Sequence, residues 1–137
     1  MFRRSHRGED LAARIDHLMT SVLLVDDEAR LEALAGHLAA DVVYVSPWAV
    51  VDGPAGVSDA FGRLRRLDRQ PASLRRTSAV DSHHHYFRFT WERVERGAVA
   101  MSGWAFGSLD ESEAIDRIVA FEGLEPGESE AEGEGEG

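Results

Sequence analysis

Three consecutive histidines, His83, His84 and His85, are the residues of this sequence with the clearest capacity for chemistry. An imidazole titrates near neutral pH, so it can act as a general acid or base, and it can also ligate a metal ion. Because side chains alternate along a strand, an uninterrupted strand places His83 and His85 on one face and His84 on the other. The triplet therefore divides two to one and does not form a single cluster.

A metal site at His83 and His85 would need further ligands from other segments. The neighbouring strand-like segments offer few acids, and the chain has no cysteine, so we predict neither a metal site nor a cofactor. An acid–base role is the stronger chemical hypothesis, with Asp81 on the same face to orient the His83 ring. The alternative is that both rings only pack or form hydrogen bonds at the end of the sheet.

Aromatic residues at every second position follow the histidines, and they predict one wall of a binding site. Phe87, Phe89 and Trp91 share a face with His83 and His85 if the strand is uninterrupted. Such a wall suits an apolar ligand, whereas plain core packing is the alternative. The next strand-like segment presents mostly small residues on the same face, which would leave space for a ligand: Met101, Gly103, Ala105 and Gly107.

The remaining candidates lie near the middle of the chain. Tyr44 and Ser46 have the same strand parity and are expected to point inward, and Trp48 would cover either the cavity mouth or a dimer interface. The candidate catalytic residues are His83, His85 and Tyr44. The candidate ligand-binding residues are Tyr44, Ser46, Trp48, His85, Phe87, Phe89, Trp91, Met101 and Ala105.

The helices that must support these residues are predicted from apolar spacing. Residues 9–25 carry apolar side chains at helical intervals, and Asp26 or Asp27 can cap a second helix. The second helix is expected to bury Leu31, Leu34, Ala35 and Leu38. A third helix is expected to begin at Pro54, a residue favoured in the first helical turn, and to bury Val57, Phe61 and Leu64.

The strands are predicted from β-branched and aromatic segments. A first strand is expected at 42–46, and the later ones at about 73–80, 83–94, 98–109 and 115–122. Residues 95–97 would form a hairpin turn. Trp104 and Phe106 would face outward and form a partner surface, most simply for a second copy of the chain. Helices segregated from antiparallel strands predict the α+β class.

Composition limits the function classes. The chain has 137 residues and no cysteine or lysine, which excludes disulfides, thiolate sites and Schiff-base lysines. Most of its net charge of −10 comes from seven glutamates after residue 121. We therefore expect no nucleic-acid partner. No segment is a signal peptide or a membrane span, so we expect a cytoplasmic protein that does not bind membranes.

Three regions are expected along the chain. Residues 1–8 would form a flexible basic arm, residues 9–123 the folded domain, and residues 124–137 a disordered acidic tail. The tail repeats Glu and Gly and cannot bury apolar surface, so solubility is its simplest role and partner binding is the alternative.

The order of these elements resembles the SnoaL-like branch of the nuclear transport factor 2-like (NTF2-like) superfamily. The resemblance covers roughly residues 11–123 and lies in "LAADVVYVSPWAVVDGPAGV", in "FRFTW" within a long hairpin, and in "RIVAFEG" at the end of the domain. It implies a cone-shaped fold with a curved, mixed or antiparallel sheet wrapped round three N-terminal helices. It also implies a cavity inside the cone and a homodimer through the sheet.

The resemblance also tests one chemistry of the superfamily. Steroid isomerases that resemble this chain have aspartates at the positions of Ser46 and Ala105, and a tyrosine on the first helix. All three groups are missing here. Serine and alanine stand at the two aspartate positions, and the only tyrosines, Tyr44 and Tyr86, lie outside the first helix. A serine without an activating base does not shuttle protons at neutral pH. Isomerase chemistry of that type is therefore not expected.

Three hypotheses follow for the function. The first is a domain whose apolar cavity binds a small hydrophobic or aromatic molecule. The second is an isomerase, dehydratase or cyclase that uses a pocket histidine as its acid–base group. The third is a structural dimerisation domain without catalysis, which would apply if side chains fill the cavity.

Overall fold

The fold consists of helices stacked against one sheet. The computed structural model describes residues 2–67 and 72–125. The helices are α1 (Phe2–Ser21), α2 (Asp27–Ala35) and α3 (Gly53–Leu67). The strands are β1 (Leu38–Ser46), β2 (Ala49–Asp52), β3 (Ala72–Arg76), β4 (Asp81–His83), β5 (Tyr86–Glu95), β6 (Ala98–Leu109) and β7 (Ile115–Glu122).

The strands form one sheet in the order β2-β1-β7-β6-β5-β3, and β4 pairs with β5 beside this path. β1 and β7 are parallel, and the other pairs are antiparallel. The α+β prediction is therefore confirmed, together with a sheet that is mixed but mostly antiparallel. Leu11, Ile15, Leu34, Val42 and Ile115 are buried where the helices meet the sheet.

Two boundaries in the N-terminal part of the chain differ from the prediction. α1 begins at Phe2 and includes residues 2–8 of the expected basic arm, because only Gly8 in that segment strongly disfavours a helix. β1 begins at Leu38, so Leu38 belongs to a strand and not to α2. The predicted acidic tail lies outside the described residues from 126 onward.

Two strands were missed by the sequence reasoning. β2 pairs back on β1 through a two-residue turn, with Ser46 opposite Ala49. The Ser46 hydroxyl accepts hydrogen bonds from the backbone N–H groups of Trp48 and Ala49, each at 3.2 Å. The second missed strand is β4, which a turn at 84–85 separates from β5. Both strands are short and adjoin turns that the hydrophobic pattern alone does not reveal.

The buried side of α2 is only partly the predicted one, because Leu34 is buried as expected but Arg30 is buried beside it. Arg30 is 2% exposed, whereas Leu31 is 38% exposed and Ala35 is also exposed. The Arg30 guanidinium crosses to α3 and donates to the backbone oxygen and the hydroxyl of Ser58, both at 3.0 Å. It can lie there because Gly62 has no side chain, and a Cβ at Gly62 would collide with the Arg30 Nη2 atom.

Aromatic rings from the neighbouring strand β5 lie close to two glycines of β6. Trp91 is paired with Gly103, and Phe87 with Gly107. A Cβ at Gly103 would collide with the Phe121 backbone oxygen of β7 and would lie 2.8 Å from the Trp91 Cζ2 atom, and a Cβ at Gly107 would collide with the Phe87 ring. The prediction that these glycines leave open space is therefore wrong, because aromatic side chains pack over them from the adjacent strand.

A pair of histidines links α1 to the start of β1. His17 Nδ1 and His37 Nε2 are 2.7 Å apart, and the rings meet edge to face. Burial lowers the pKa of His37 from its ordinary value of 6.5, and the nearby His17 and Arg14 lower it further. The fold therefore favours the neutral His37 ring, which can share one proton with His17.

This pair predicts that acid destabilises the fold. Because the folded state lowers the pKa of His37, its contribution to stability is complete above about pH 6.5 and is lost as the pH falls through the lower, folded value. We expect His37→Gln to reduce this loss. Urea unfolding midpoints at pH 7.5 and 5.0 measure the difference, with the exposed His83→Gln as control. An equal acid-side loss in His37→Gln and wild type would contradict the assignment.

Candidate functional site

A cavity of about 210 Å³ lies between the helices and the helix-facing side of the sheet. Its wall is almost wholly apolar, and its side chains come from both helical and strand elements. On the helical side it is lined by Leu18, Met19, Val22, Leu23, Val57, Phe61 and Leu64, with Arg65. On the sheet side it is lined by Leu38, Tyr44, Leu74, Phe89, Trp91, Arg93, Met101, Ala105, Ile118 and Ala120, and Trp48 lies in the β1–β2 turn.

Six of the predicted ligand-binding residues line this cavity: Tyr44, Trp48, Phe89, Trp91, Met101 and Ala105. They converge because β1, β5 and β6 turn the same face toward the helices. Phe89 and Trp91 are buried, whereas Trp48 is 47% exposed, so Trp48 connects the cavity wall with solvent. Ala105 is 4% exposed, and its small side chain leaves room at the middle of β6.

Three other predicted residues do not line the cavity. Phe87 packs over Gly107 in the core, and Ser46 holds the β1–β2 turn through its hydroxyl. Their inward orientation is as expected, but both side chains are already occupied by structural contacts. His85 is the third, and it lies at the far end of β5 in an exposed turn.

The histidine triplet forms the β4–β5 hairpin and does not reach the cavity. His83 ends β4 opposite Tyr86, and His84 and His85 form the turn. All three are exposed, and His84 takes the left-handed backbone conformation with φ of 56°. The prediction that His83 and His85 face the interior is wrong, because it assumed a single strand over 83–94 and the chain reverses at the histidines.

The predicted partner of His83 is also engaged elsewhere. Asp81 accepts a hydrogen bond from Arg88 Nε at 2.9 Å across the β4–β5 pair. The His83 and His84 Nδ1 atoms are 3.1 Å apart, so these rings interact with each other. Among the described residues, no group of three or more His, Cys, Asp or Glu side chains could hold a metal ion.

Tyr44 contributes a neutral polar group to the cavity wall. Burial raises the pKa of its hydroxyl above the ordinary value of 10.0, and a hydrogen bond with Ser46 only partly opposes this. The ring packs against Phe61 with centroids 5.5 Å apart. At neutral pH this hydroxyl is therefore protonated and can donate a hydrogen bond, and it is a poor base.

The cavity also contains polar groups that sequence reasoning did not identify. Arg65 of α3 and Arg93 of β5 line it, and the indole N–H of Trp91, which also lines it, is buried without a hydrogen-bond partner in the described part of the chain. Arg93 forms an ion pair with Glu95 at 2.9 Å. The apolar stripe of α3 does indicate that Arg65 is close to its edge, but only the tertiary packing shows that its Nε atom is buried.

The outer side of the sheet carries a cluster of aromatic side chains. Trp104 stacks on Phe106 with centroids 5.9 Å apart, and Phe106 meets Phe121 edge to face at 5.7 Å. The Arg88 guanidinium lies 5.5 Å from the centre of the Trp104 ring. Phe106 and Phe121 are 38% and 53% exposed, so this aromatic face meets solvent in the single chain.

Within the described ranges, no helix is both long enough and apolar enough to cross a lipid bilayer. Comparison of the sequence with known proteins finds no matching family model and no matching curated protein.

Comparison of the fold does find matches. A crystal structure of a candidate isomerase of the SnoaL-like family from Agrobacterium tumefaciens strain C58 matches with a TM-score of 0.75 and 20% sequence identity, over 81% of this chain and 95% of that protein. An NTF2-like protein of unknown function from Exiguobacterium sp. 255-15 matches with a TM-score of 0.65 and 11% identity, over 80% of this chain and 98% of that protein.

A de novo designed protein with a curved β-sheet also matches, with a TM-score of 0.61 and 14% identity, over 86% of this chain and 87% of the design. Sequence identities this low relate the proteins by architecture, and one architecture hosts many functions. The arrangement expected from the sequence is thereby confirmed, and the chain has the α+β fold shared by SnoaL-like and NTF2-like proteins.

Proposed function

We propose that this protein binds a small, mainly apolar molecule in the cavity between its helices and its sheet. The observation that carries the proposal is the contrast between this cavity and the core beside it. Rings fill the spaces above Gly103 and Gly107, whereas about 210 Å³ stays open next to Phe89 and Ala105. Protein interiors are normally close-packed, and an apolar cavity of this kind is a favourable place for an apolar guest.

Binding is better supported than acid–base catalysis. No histidine, aspartate or glutamate is among the described residues that line the cavity. The one phenol there, Tyr44, has a raised pKa and stays protonated. A general base must lie within hydrogen-bond reach of the proton that it removes, and the exposed His83 and His85 lie in the β4–β5 hairpin and are not among the lining residues.

The proposal is tested by calorimetric titration with 4-phenylbutanamide, a neutral aromatic probe. For a ligand of this size we expect a dissociation constant between about 10 µM and 1 mM. Burial of apolar surface should also give a negative heat-capacity change between 10 and 30 °C. Absence of saturable binding for this amide and for a more compact aromatic, naphthalene, would overturn the proposal.

We also propose that the outer aromatic face is a homodimer interface. Trp104, Phe106 and Phe121 form one contiguous apolar surface on the side of the sheet away from the cavity. Burying such a surface against a second copy removes apolar area from water. The Trp104 indole N–H already donates to the Leu124 carbonyl oxygen at 2.9 Å, so the ring is held in place before association.

Light scattering after size exclusion should therefore give twice the chain mass of 15.1 kDa. Phe106→Glu places a charge in the centre of the surface, and we expect it to shift the protein to a monomer with an unchanged far-ultraviolet circular dichroism spectrum. Val99→Glu, also exposed on β6 but outside the aromatic cluster, is the control and should remain dimeric. A wild-type monomer at 100 µM would contradict the proposed interface.

A further inference from the structure

We propose that the ligand of the cavity is an apolar carboxylate whose anionic group is held by the Arg65 guanidinium and the Trp91 indole N–H. This inference rests on the proposed binding function and specifies the chemistry of the ligand. It is carried by two buried donors for which the described residues supply no acceptor.

The first donor is the indole of Trp91. This residue is 7% exposed, it lines the cavity, and its Nε1 atom is buried without a hydrogen-bond partner in the described part of the chain. An indole nitrogen can only donate, and a buried tryptophan usually finds an acceptor. Leaving a buried donor unsatisfied costs free energy. A ligand oxygen in the cavity would remove that cost.

The second donor is Arg65, in the last turn of α3. Its Nε atom is buried and has no partner among the described residues, although the residue as a whole is only half-buried. A guanidinium carries a permanent positive charge in proteins, and Arg65 brings that charge to the cavity wall. By contrast, Arg93 on the opposite wall is already paired with Glu95 at 2.9 Å.

The electrostatics of the wall favour an anion over a neutral or cationic group. The charged side chains among the lining residues of the described chain are both arginine, and none is acidic. A carboxylate accepts hydrogen bonds and never donates when ionised, which matches an indole N–H and a guanidinium. The remaining wall is apolar and fits a hydrocarbon or aromatic body. A ligand that fits both the two donors and the apolar wall must therefore be amphipathic.

The direct test compares three probes that share a phenylbutyl body. Isothermal titration of the wild-type protein with 4-phenylbutanoate, 4-phenylbutanamide and 4-phenylbutylamine measures the contribution of the charge. We expect the carboxylate to bind at least about tenfold more tightly than the isosteric amide, because hydrogen bonds to charged groups are the stronger ones. The amine is expected to bind more weakly than the amide.

Variants then assign the effect to the two donors. Arg65→Met should remove most of the tenfold preference for the carboxylate over the amide, because it removes the charged donor and retains the apolar stem. Trp91→Phe removes the N–H group and should lower carboxylate affinity several-fold. Arg66→Met is the matched control, since Arg66 adjoins Arg65 but is largely exposed and near Asp27 at 3.7 Å, and it should keep the preference.

The possible results separate this inference from the binding function itself. If the amide binds and the carboxylate binds no more tightly, the inference is wrong and the proposed function stands. If Arg65→Met keeps the full preference for the carboxylate, Arg65 is not the anion ligand and the inference is also overturned. If none of the three probes binds the wild-type protein but naphthalene does, this inference alone fails. If neither the three probes nor naphthalene binds, the proposed function fails and takes this inference with it.

Discussion

Arg30→Met should lower the free energy of unfolding by about 3 kcal/mol, the summed cost of several buried acceptors left without a donor. Arg30 donates to the Leu24 carbonyl oxygen at 2.8 Å and to both oxygens of Ser58 at 3.0 Å. These bonds tie the α1–α2 connection and α2 to α3. Methionine fills much of the same space but cannot donate, so the loss reports the hydrogen bonds more than the packing.

Urea denaturation followed by circular dichroism measures the change. Asp27→Asn is the matched control, because the Asp27 side chain also bonds to Arg30 but is 71% exposed, and we expect only a small loss. Ser58→Ala removes one of the acceptors together with its need for a donor, so it should cost about 1 kcal/mol. If Arg30→Met unfolds at the wild-type urea concentration, the buried guanidinium does not hold the helices together.

Ala105→Phe should abolish binding of 4-phenylbutanamide, with a loss of at least about a hundredfold in affinity or about 2.7 kcal/mol. Ala105 is 4% exposed and lies in the cavity wall between Phe89 and Ala120 on the paired strands. A phenyl ring at this position would occupy the space of the guest. Ala105→Leu adds less volume and should give an intermediate loss, so affinity is expected to fall with side-chain size.

Ala100→Phe on the same strand is the matched control, because Ala100 is exposed and does not line the cavity. It should bind the amide as the wild type does. Filling the cavity restores packing, so Ala105→Leu is expected to keep or raise the unfolding midpoint. Unchanged amide affinity in a folded Ala105→Phe protein would place the binding site elsewhere.

The architecture could be predicted from the sequence because it depends on extended patterns. The helical spacing of Leu11, Ile15 and Leu18 and the alternation of Phe87, Phe89 and Trp91 each repeat over several turns or strand positions. A repeat of that length still predicts the helix or strand when the assignment of one position is wrong. All three aromatics are indeed buried, so their inward parity is confirmed as well.

The site was harder to predict because it depends on single turns and on contacts between distant residues. The turn at His84 and His85 reverses the chain, and this moves the histidines from a predicted wall to an exposed hairpin. No hydrophobic pattern marks that turn. It also lacks a typical turn residue, because His84 takes the positive φ that is more usual for glycine or asparagine. One local reversal was enough to remove the catalytic hypothesis from the cavity.

Pairing across elements explains the other differences. Arg30 reads as a solvent-facing charge until Gly62, far away in the sequence, provides the space that its guanidinium occupies. Gly107 reads as an empty position until the Phe87 ring is placed over it from the next strand. From the sequence, Arg65 is expected to be one of the exposed arginines at the end of α3. Each of these depends on which residues meet in three dimensions, and a single sequence does not contain that information.

The central claim is that the cavity admits a guest, and methionine methyl groups test it most directly. Met19 and Met101 both line the cavity, and the chain has three methionines in all. With ¹³C-methyl methionine, Met19→Leu and Met101→Leu assign the two signals. We predict that 4-phenylbutanamide shifts both signals saturably with one dissociation constant, and that Ala105→Phe prevents both shifts. Methyl signals that stay unchanged up to the solubility limit of the probe would contradict the account.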